Sequence, residues 1–359
     1  MEQNSSIFKF KLSARTRAFI ISFIAVFLMS SLPKLGVHTP QIISPLPSAQ
    51  QLPKPDQFLE TVRPKLQEKI NDFSLNKPTS FVGEVSAASG DFDQLNAYAV
   101  VDFDSGEILL DKNLDKSLPI ASVTKIMTAA VAFDLLEKDE LLTVSEHAAG
   151  IIPTKMGVVP GQQWSTEEMV TALLLTSAND AAEVLKEGVD AKYGEGTFIK
   201  AMNEKARFLK LKNSSFTNPQ GFDNRNHFSS VGDLAVLSNY ALKSYPEIGE
   251  IVNKEYQFYP ATKTHKQADL YNWNGLLGVY PGSYGIKIGN TGDAKYTTTV
   301  VSEREGRHLF VVSLGAPGVL ERDLWSAQLL DLGFQKVGIN AANITEEQLR
   351  AKYQSWKYF

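Results

Sequence analysis

Three short motifs carry side chains whose type and spacing suit acyl transfer by a serine. Ser122 and Lys125 stand three residues apart in PIASVTKIM, so a helix beginning near Pro119 would place the hydroxyl beside the amine. A serine is a weak nucleophile until a base takes its proton. A lysine is such a base only when its pKa is lowered, by burial or by a second nearby cation. The same spacing recurs at Ser6 and Ser31, so the pair alone is unspecific.

The other two motifs follow along the chain. Ser177 and Asn179, in LLTSANDAAEVL, are predicted where one helix ends and the next begins, a place for polar side chains facing a cleft or for helix caps. Lys287 is predicted on a strand beside Gly289, where the missing side chain would let a ligand backbone approach. Each motif is weak by itself. Their order, with Ser-x-x-Lys opening a helix, Ser-x-Asn between helices and Lys-x-Gly on a strand, is more specific.

Strands at both ends of the main region, with helices between them, must position these motifs. The predicted strands are 97–103, 107–111, 283–288, 295–302 and 308–314, and the predicted helices are 120–137, 166–176, 179–192, 196–209, 230–244 and 320–332. This order is not a βαβ alternation. It predicts an α+β fold in which a mostly antiparallel sheet is flanked by helices.

The composition excludes several kinds of chemistry. With no cysteine, the chain has no disulfides, thiolate metal sites or cysteine nucleophile, and five histidines without HExxH or a close pair argue against a histidine-based metal site. We therefore expect neither a metal nor a cofactor. A net charge of −4 is unfavourable for sequence-blind binding of nucleic acid, and 43 % apolar residues are typical of a globular chain.

Basic and apolar residues mark the N-terminal region. Residues 1–34 hold five basic residues and one acidic residue, and an uncharged apolar run fills 18–32. The pattern predicts a signal peptide or an N-terminal membrane anchor, with the rest of the chain outside the cytoplasm. Removing this segment leaves a body with a net charge of −8.

The chain divides into four predicted segments. Residues 1–34 form the export segment, and residues 35–80 form a proline-rich linker that ends in a short amphipathic helix. The apolar face of that helix is predicted to comprise Phe58, Val62, Leu66, Ile70 and Phe73. Residues 81–335 form the main domain, which contains all three motifs, and residues 336–359 form a polar and aromatic tail.

The ordered triplet resembles the active site of penicillin-binding proteins and serine β-lactamases. The similarity extends to SLPIASVTKIMTA, SANDAAEVL, TNPQGFD and HLFVVSLGA, which resemble the D-alanyl-D-alanine carboxypeptidase family over roughly residues 95–335. The resemblance implies a β-lactamase/transpeptidase-like fold and a serine-type carboxypeptidase. Its substrate would be peptidoglycan stem peptides ending in D-Ala-D-Ala, and β-lactam antibiotics would be covalent inhibitors.

The resemblance also implies a role for each motif residue. Ser122 would be the acylated nucleophile and Lys125 its general base. Ser177 would pass a proton to the leaving amine, and Asn179 would bond the substrate backbone and Lys125. Four further residues would bind substrate: Lys287, Asn290, Thr291 and Arg322. Among them, Lys287 and Arg322 would attract the terminal carboxylate, and the Asn290 N–H would complete an oxyanion hole with that of Ser122.

One departure from the family pattern leaves alternatives open. The family's Lys-Thr-Gly is Lys287-Ile288-Gly289 here, and isoleucine has no hydroxyl for the substrate carboxylate. Losing one hydrogen bond to a charged group costs about 1.5–3 kcal/mol. A catalytically impaired protein that binds peptidoglycan or penicillin is therefore the second hypothesis. A β-lactamase is less favoured, because Glu167 and Glu168 precede the Ser177 motif whereas class A β-lactamases place the catalytic glutamate after it. A DD-endopeptidase is also less favoured but stays open, because the bond it would cleave in cross-links is chemically similar and differs only on the acceptor side.

Overall fold

An antiparallel five-stranded sheet, covered by helices on both faces, organises the chain. The computed structural model describes residues 55–77 and 90–356, the first five by their backbone alone. These residues form the helices α1 (Pro55–Leu66), α2 (Lys125–Leu135), α3 (Glu146–Gly150), α4 (Thr166–Leu175), α5 (Asn179–Tyr193), α6 (Thr197–Phe208), α7 (Val231–Ser244), α8 (Pro246–Val252), α9 (Val319–Lys336) and α10 (Glu346–Gln354). The strands are β1 (Ala97–Asp102), β2 (Ile108–Lys112), β3 (Leu141–Thr143), β4 (Gln163–Ser165), β5 (Tyr256–Tyr259), β6 (Ala268–Tyr271), β7 (Ser283–Thr291), β8 (Lys295–Arg304) and β9 (Arg307–Ala316).

The main sheet joins strands from both ends of the domain. Its order is β2-β1-β9-β8-β7, and every neighbouring pair is antiparallel. Strand β1 pairs with β9 over six residues, from Ala97 opposite Leu314 to Asp102 opposite Leu309. Strand β7 lies at the edge of the sheet and carries Lys287 and Gly289. The antiparallel α+β prediction is confirmed.

Two apolar cores lie on opposite faces of this sheet. Alternate residues of a strand point to opposite faces, and in β1 Ala99 and Val101 join the core formed with α2, α4, α5 and α7. Tyr98 and Val100 join the second core, against α9 and α10. Because both faces are covered, all six residues of β1 are buried, and its first five residues form a continuous apolar run.

The predicted helix over 120–137 is wrong at its start. A 3₁₀ turn occupies Ala121–Thr124, and the α-helix begins only at Lys125. Ala121 has a φ of 49°, in the left-handed region. A right-handed α-helix therefore cannot include this residue, and it begins only after the turn. The two-stranded antiparallel pairs β3–β4 and β5–β6 were not predicted, since strands of three and four residues carry little periodicity.

The predicted amphipathic helix is shorter than its apolar pattern. Helix α1 ends at Leu66, and its Val62 and Leu66 are buried in the first core, whereas Ile70 is 82 % exposed. The ammonium of Lys205, buried on α6, donates to the Leu66 carbonyl and so replaces the N–H that would continue the helix. The linker therefore contains a helix that is packed into the domain.

Two predicted segments reach beyond the described residues. The apolar run 18–32 lies outside them, and so do residues 81–89 of the predicted main domain. Within the described ranges, no helix combines the length and hydropathy that a bilayer span requires. In the predicted tail, α10 packs against α9 and buries Leu349.

Candidate active site

Ser122 and Lys125 lie side by side at the junction between the 3₁₀ turn and α2. The Nζ atom of Lys125 is 2.8 Å from the Oγ atom of Ser122, which the i, i+3 spacing predicts. Lys125 is fully buried, whereas Ser122 keeps part of its surface exposed. The hydroxyl is thus accessible to a ligand while the amine beneath it is shielded from water.

Two further contacts fix the amine of Lys125. Its Nζ lies 2.7 Å from Oδ1 of Asn179 and 2.7 Å from the carbonyl oxygen of Gln220. Burial, and then the nearby Lys287 cation, hold the pKa of Lys125 well below its ordinary value, against an opposing effect of Asp180. A neutral amine has two N–H donors, which match these two carbonyl acceptors. Such an amine would keep its lone pair free to accept from the Ser122 hydroxyl, which is 2.8 Å away.

The Ser177 motif lies in the connection between α4 and α5. Ser177 has a φ of 61° and is 8 % exposed, and its hydroxyl has no hydrogen-bond partner among the described residues. Asn179 opens α5; its Nδ2 donates to the Pro153 carbonyl at 2.6 Å, and its backbone N–H donates to the Thr154 carbonyl at 2.8 Å. Asn179 therefore links the 153–154 loop to Lys125, rather than only capping a helix.

Strand β7 forms the opposite wall. A Cβ atom on Gly289 would lie 2.6 Å from the backbone nitrogen of Ser122 and 3.0 Å from Cβ of Ala121, so only glycine allows the strand this close to the nucleophile. Lys287 is buried, and its Nζ donates to the Ile288 carbonyl at 3.0 Å. Burial and the nearby Arg322 lower the pKa of Lys287 to about 7.

The end of β7 presents Asn290 and Thr291. Asn290 is exposed and pairs with Tyr296 of β8. The hydroxyl of Thr291 donates to Oδ1 of Asp223 at 2.5 Å and accepts from the Ala294 N–H at 3.2 Å. A carboxylate ligand that uses this hydroxyl must therefore displace Asp223.

Ile288 occupies the position at which the family pattern has a threonine. It pairs with Thr298 on β8 and is half-buried, between the buried Lys287 and Gly289. The substitution leaves the register of β7 on β8 unbroken from Lys287 to Thr291. The position therefore keeps its place in the strand and lacks only the hydroxyl.

Arg322 lies in the first turn of α9 and is 2 % exposed. Its guanidinium donates twice to the carboxylate of the adjacent Asp323, at 2.7 Å and 2.8 Å. It lies close enough to Lys287 to depress the pKa of that lysine. Arg322 thus adds positive charge near Lys287, but two of its N–H donors are already bound to Asp323.

Sequence reasoning missed the backbone of the TNPQGFD loop. The Gln220 carbonyl binds Lys125, and at Gly221 a Cβ atom would lie 1.9 Å from the Ala121 carbonyl oxygen, with φ at +89°. The buried His227 accepts from the Thr217 N–H at 3.1 Å and lies 2.7 Å from the hydroxyl of Thr124. Burial lowers the pKa of His227 to about 4, so the ring is neutral at physiological pH and packs the loop against the 3₁₀ turn. In the sequence, Gly221 was the one residue that could have indicated this close approach of the loop to the 3₁₀ turn.

One group of side chains could in principle hold a metal. The candidate ligand atoms of His147, Glu183 and Glu187 lie within 4.8 Å of one another. Lys186 already lies 3.2 Å from Glu183, however, and Gln220 donates to the other oxygen of Glu183 at 2.6 Å. These partners neutralise and orient the carboxylate, and the group has no contact with Ser122 or Lys125 among the described interactions.

The comparisons with known proteins agree on one family. The family model described as D-alanyl-D-alanine carboxypeptidase, peptidase family S11, matches residues 85–318. The chain belongs to the D-alanyl-D-alanine carboxypeptidase family. It is 34 % identical to the D-alanyl-D-alanine carboxypeptidase DacF of Bacillus subtilis over 242 residues, which are 66 % of this chain and 61 % of that protein. It therefore spans less than two thirds of the length of this relative.

Solved structures of this family share the fold. The Streptomyces K15 DD-transpeptidase has a TM-score of 0.64 at 25 % identity, covering 67 % of this chain and 97 % of that chain. Penicillin-binding protein D2 from Listeria monocytogenes, in an ampicillin-bound form, has a TM-score of 0.56 at 32 % identity, with 67 % and 97 % covered. The S11 family match ends before α9, so Arg322 and α10 lie beyond it.

Proposed function

We propose that the chain is a serine-type D-Ala-D-Ala carboxypeptidase that trims peptidoglycan stem peptides. The observation that carries the proposal is the buried Lys125 amine at 2.8 Å from the Ser122 hydroxyl, with its two N–H donors matched by Asn179 and Gln220. A buried lysine whose pKa is lowered in this way can accept the serine proton, which activates the nucleophile. Membership of the S11 family supports the choice of substrate.

Acylation then proceeds through groups already in place. Lys125 takes the proton of Ser122 as Oγ attacks the carbonyl carbon of the penultimate D-Ala. The backbone N–H groups of Ser122 and Asn290 stabilise the oxyanion, and such donors are typically worth a few kcal/mol each. The C–N bond breaks as the proton that Lys125 took is passed through the Ser177 hydroxyl to the nitrogen of the leaving D-alanine. Water afterwards hydrolyses the ester, which releases the shortened peptide and restores Ser122. The close approach of Gly289 to Ser122 supports this oxyanion hole.

The terminal carboxylate of the substrate would bind beside β7. Lys287 supplies a cation there, Arg322 adds potential from behind, and Thr291 offers a hydroxyl once it leaves Asp223. Because Ile288 cannot donate, the site has one hydrogen bond fewer than the family pattern provides. We expect weaker substrate capture with the nucleophile, the base and the oxyanion hole intact.

The second candidate function, a binding protein with impaired turnover, depends on Ile288. It predicts that stem peptide binds without release of D-alanine, and that Ile288→Thr restores release by about ten- to hundredfold, which corresponds to one hydrogen bond to a charged group. Ile288→Val is the matched control, because it changes the volume of the β-branched side chain without adding a donor. Equal activity in the two variants would show that Ile288 does not limit the reaction.

The decisive experiment is covalent labelling of the full chain with a fluorescent penicillin, followed by intact mass and peptide mapping. We expect one adduct on Ser122, none in Ser122→Ala, and release of D-alanine from a pentapeptide by the unmodified chain. No adduct at high probe concentration would refute the proposal. Cleavage of cross-linked dimers faster than pentapeptide would instead identify an endopeptidase, and rapid loss of the adduct with penicillin turnover would identify a β-lactamase.

The site of action is also part of the proposal. The basic flank and apolar run of residues 18–32 support tethering of the domain to the outer face of the cytoplasmic membrane, in the cell envelope. Fractionation tests this directly. The full chain should pellet with membranes, and a chain lacking residues 1–34 should not; equal distribution of the two would refute the tether.

A further inference from the structure

Tyr353, on the C-terminal helix α10, is connected to Arg322 by hydrogen bonds through Asp323. The hydroxyl of Tyr353 donates to Oδ2 of Asp323 at 2.8 Å. Asp323 is fully buried, and it binds the guanidinium of Arg322 through both of its oxygens. A hydroxyl near the C-terminal end of the chain is therefore two contacts away from the arginine behind β7.

Asp323 is held in this place from a third direction. A Cβ atom on Gly275 would lie 2.1 Å from Oδ2 of Asp323 and 2.8 Å from the ring of Tyr353. The carboxylate and the ring thus pack directly on the backbone of the segment that leads into β7. Because no larger residue fits there, Asp323 has little freedom once Tyr353 is bound to it.

The positive charges of Arg322 and Lys287 explain why the guanidinium has to be held in place by Asp323. Arg322 and Lys287 are both buried, each at 2 % exposure, and they are close enough for the arginine to lower the pKa of the lysine. Two buried cations repel, so an unrestrained guanidinium would turn away from β7. The bidentate pair with Asp323 offsets the repulsion and fixes the plane of the guanidinium.

We propose that Tyr353 is a positioning residue for recognition of the substrate carboxylate, acting through Asp323 on Arg322. The inference rests on the proposed function, since it takes the carboxylate of a D-Ala-D-Ala terminus as the ligand. It gives α10 a role in substrate selection. Without the Tyr353 hydroxyl, Asp323 loses one of its partners, and Arg322 is no longer held beside Lys287.

The test compares two tyrosines, Tyr353 and Tyr280, that each donate a hydrogen bond to an aspartate of α9. Tyr280 donates to Asp331 of α9 at 2.8 Å, as Tyr353 does to Asp323, but Asp331 holds the 342–343 backbone and not Arg322. Tyr280→Phe therefore reproduces the loss of a buried hydroxyl–carboxylate bond without touching the proposed pathway. In Tyr353→Phe the ring remains to pack on Gly275, so the fold should persist, and thermal melting of both variants checks this.

The readout is the discrimination between two peptides that differ only at the C-terminus. One ends in D-Ala-D-Ala with a free carboxylate, and the other carries a C-terminal amide. In Tyr353→Phe we expect KM for the acid to rise about tenfold, less than the full loss of a charged contact, with kcat within twofold and the amide unaffected. In Tyr280→Phe both peptides should behave as in the unmodified chain.

Peptide binding separates this inference from the proposed function. In a Ser122→Ala background, affinity for the two peptides is measured without turnover, and adding Tyr353→Phe should reduce the preference for the acid about tenfold. An unchanged preference would overturn the inference, as would an equal loss for acid and amide or the same loss in Tyr280→Phe. A chain that binds the acid selectively but never hydrolyses it would refute the proposed function and leave this inference standing.

Discussion

Gly289→Ala is the substitution for which the structure gives the sharpest expectation. The added Cβ would lie 2.6 Å from the backbone nitrogen of Ser122 and 2.8 Å from Oγ1 of Thr297, where ordinary contact begins near 3.4 Å. Strand β7 and the nucleophile would have to separate by about 0.8 Å, a displacement comparable to the 1 Å that can cost about a hundredfold in rate. Neither neighbour can yield easily. The Ser122 nitrogen belongs to the backbone, and the Thr297 hydroxyl is bound to the Ile120 carbonyl at 3.1 Å.

The displaced atoms include both proposed oxyanion donors, the N–H groups of Ser122 and Asn290. Loss of one such donor costs about 10²- to 10³-fold, and we expect a fall of that size in the acylation rate of Gly289→Ala. The assay is the second-order rate constant for labelling by a fluorescent penicillin, with thermal melting as a check on folding.

Gly292→Ala provides the matched control. It makes the same chemical change on the same hairpin, but its Cβ would meet nothing closer than Asp223 at 3.8 Å. We expect it to acylate at nearly the unmodified rate. A Gly289→Ala protein that acylates within threefold of the unmodified chain, or an equal loss in Gly292→Ala, would refute the reasoning.

Three further predictions follow from the buried charges. Activity as kcat/KM should fall with rising pH as Lys287 loses its proton near pH 7. Lys287→Arg should move this falling limb to higher pH, because a guanidinium stays charged. An unmoved limb would exclude Lys287 as its source. His227 has its pKa lowered to about 4 in the fold, so the unfolded chain binds the extra proton between about pH 6.5 and 4, and the free energy of unfolding should fall by about 3 kcal/mol as the pH drops through that window. Urea denaturation at several pH values measures this fall, which His227→Gln should abolish. Lys205→Met should cost about 3–5 kcal/mol in the same assay, because Asp134 would stay buried without its partner at 2.7 Å, and a second change, Asp134→Leu, should recover most of the loss.

Much of the site was predictable because its side chains are encoded locally. The i, i+3 spacing of Ser122 and Lys125 survives the change from α-helix to 3₁₀ turn, since both conformations place such residues on one side. The placement of Asn179 at the start of a helix and of Lys287 on a strand also followed from local pattern. These predictions needed no knowledge of which elements meet in space.

The parts that sequence did not predict are made by backbone atoms and by distant partners. The Gln220 carbonyl that binds Lys125 has no side-chain signature, since every residue carries a carbonyl. The extent of α1 was misjudged because its end depends on Lys205, which is 139 residues away and donates to Leu66. The pairing of Arg322 with Asp323 was overlooked although the two are adjacent, because neighbours on a helix do not usually face each other.

The arrangement of charge around Lys125 and Lys287 explains how one lysine could act as a neutral base and the other as a cation in the proposed reaction. Lys125 must lose its proton to act as a base, and both burial and the Lys287 cation favour that loss. Lys287 must keep its proton to attract a carboxylate, yet burial and Arg322 bring its pKa down to about 7. Arg322 is the cation that cannot yield its proton, and Asp323 offsets part of its charge. In the position that Arg322 holds, the negative charge of Asp323 limits how far the arginine lowers the pKa of Lys287. In the proposed function, capture of the substrate carboxylate would therefore depend on an arginine that is paired with Asp323 rather than on a free guanidinium.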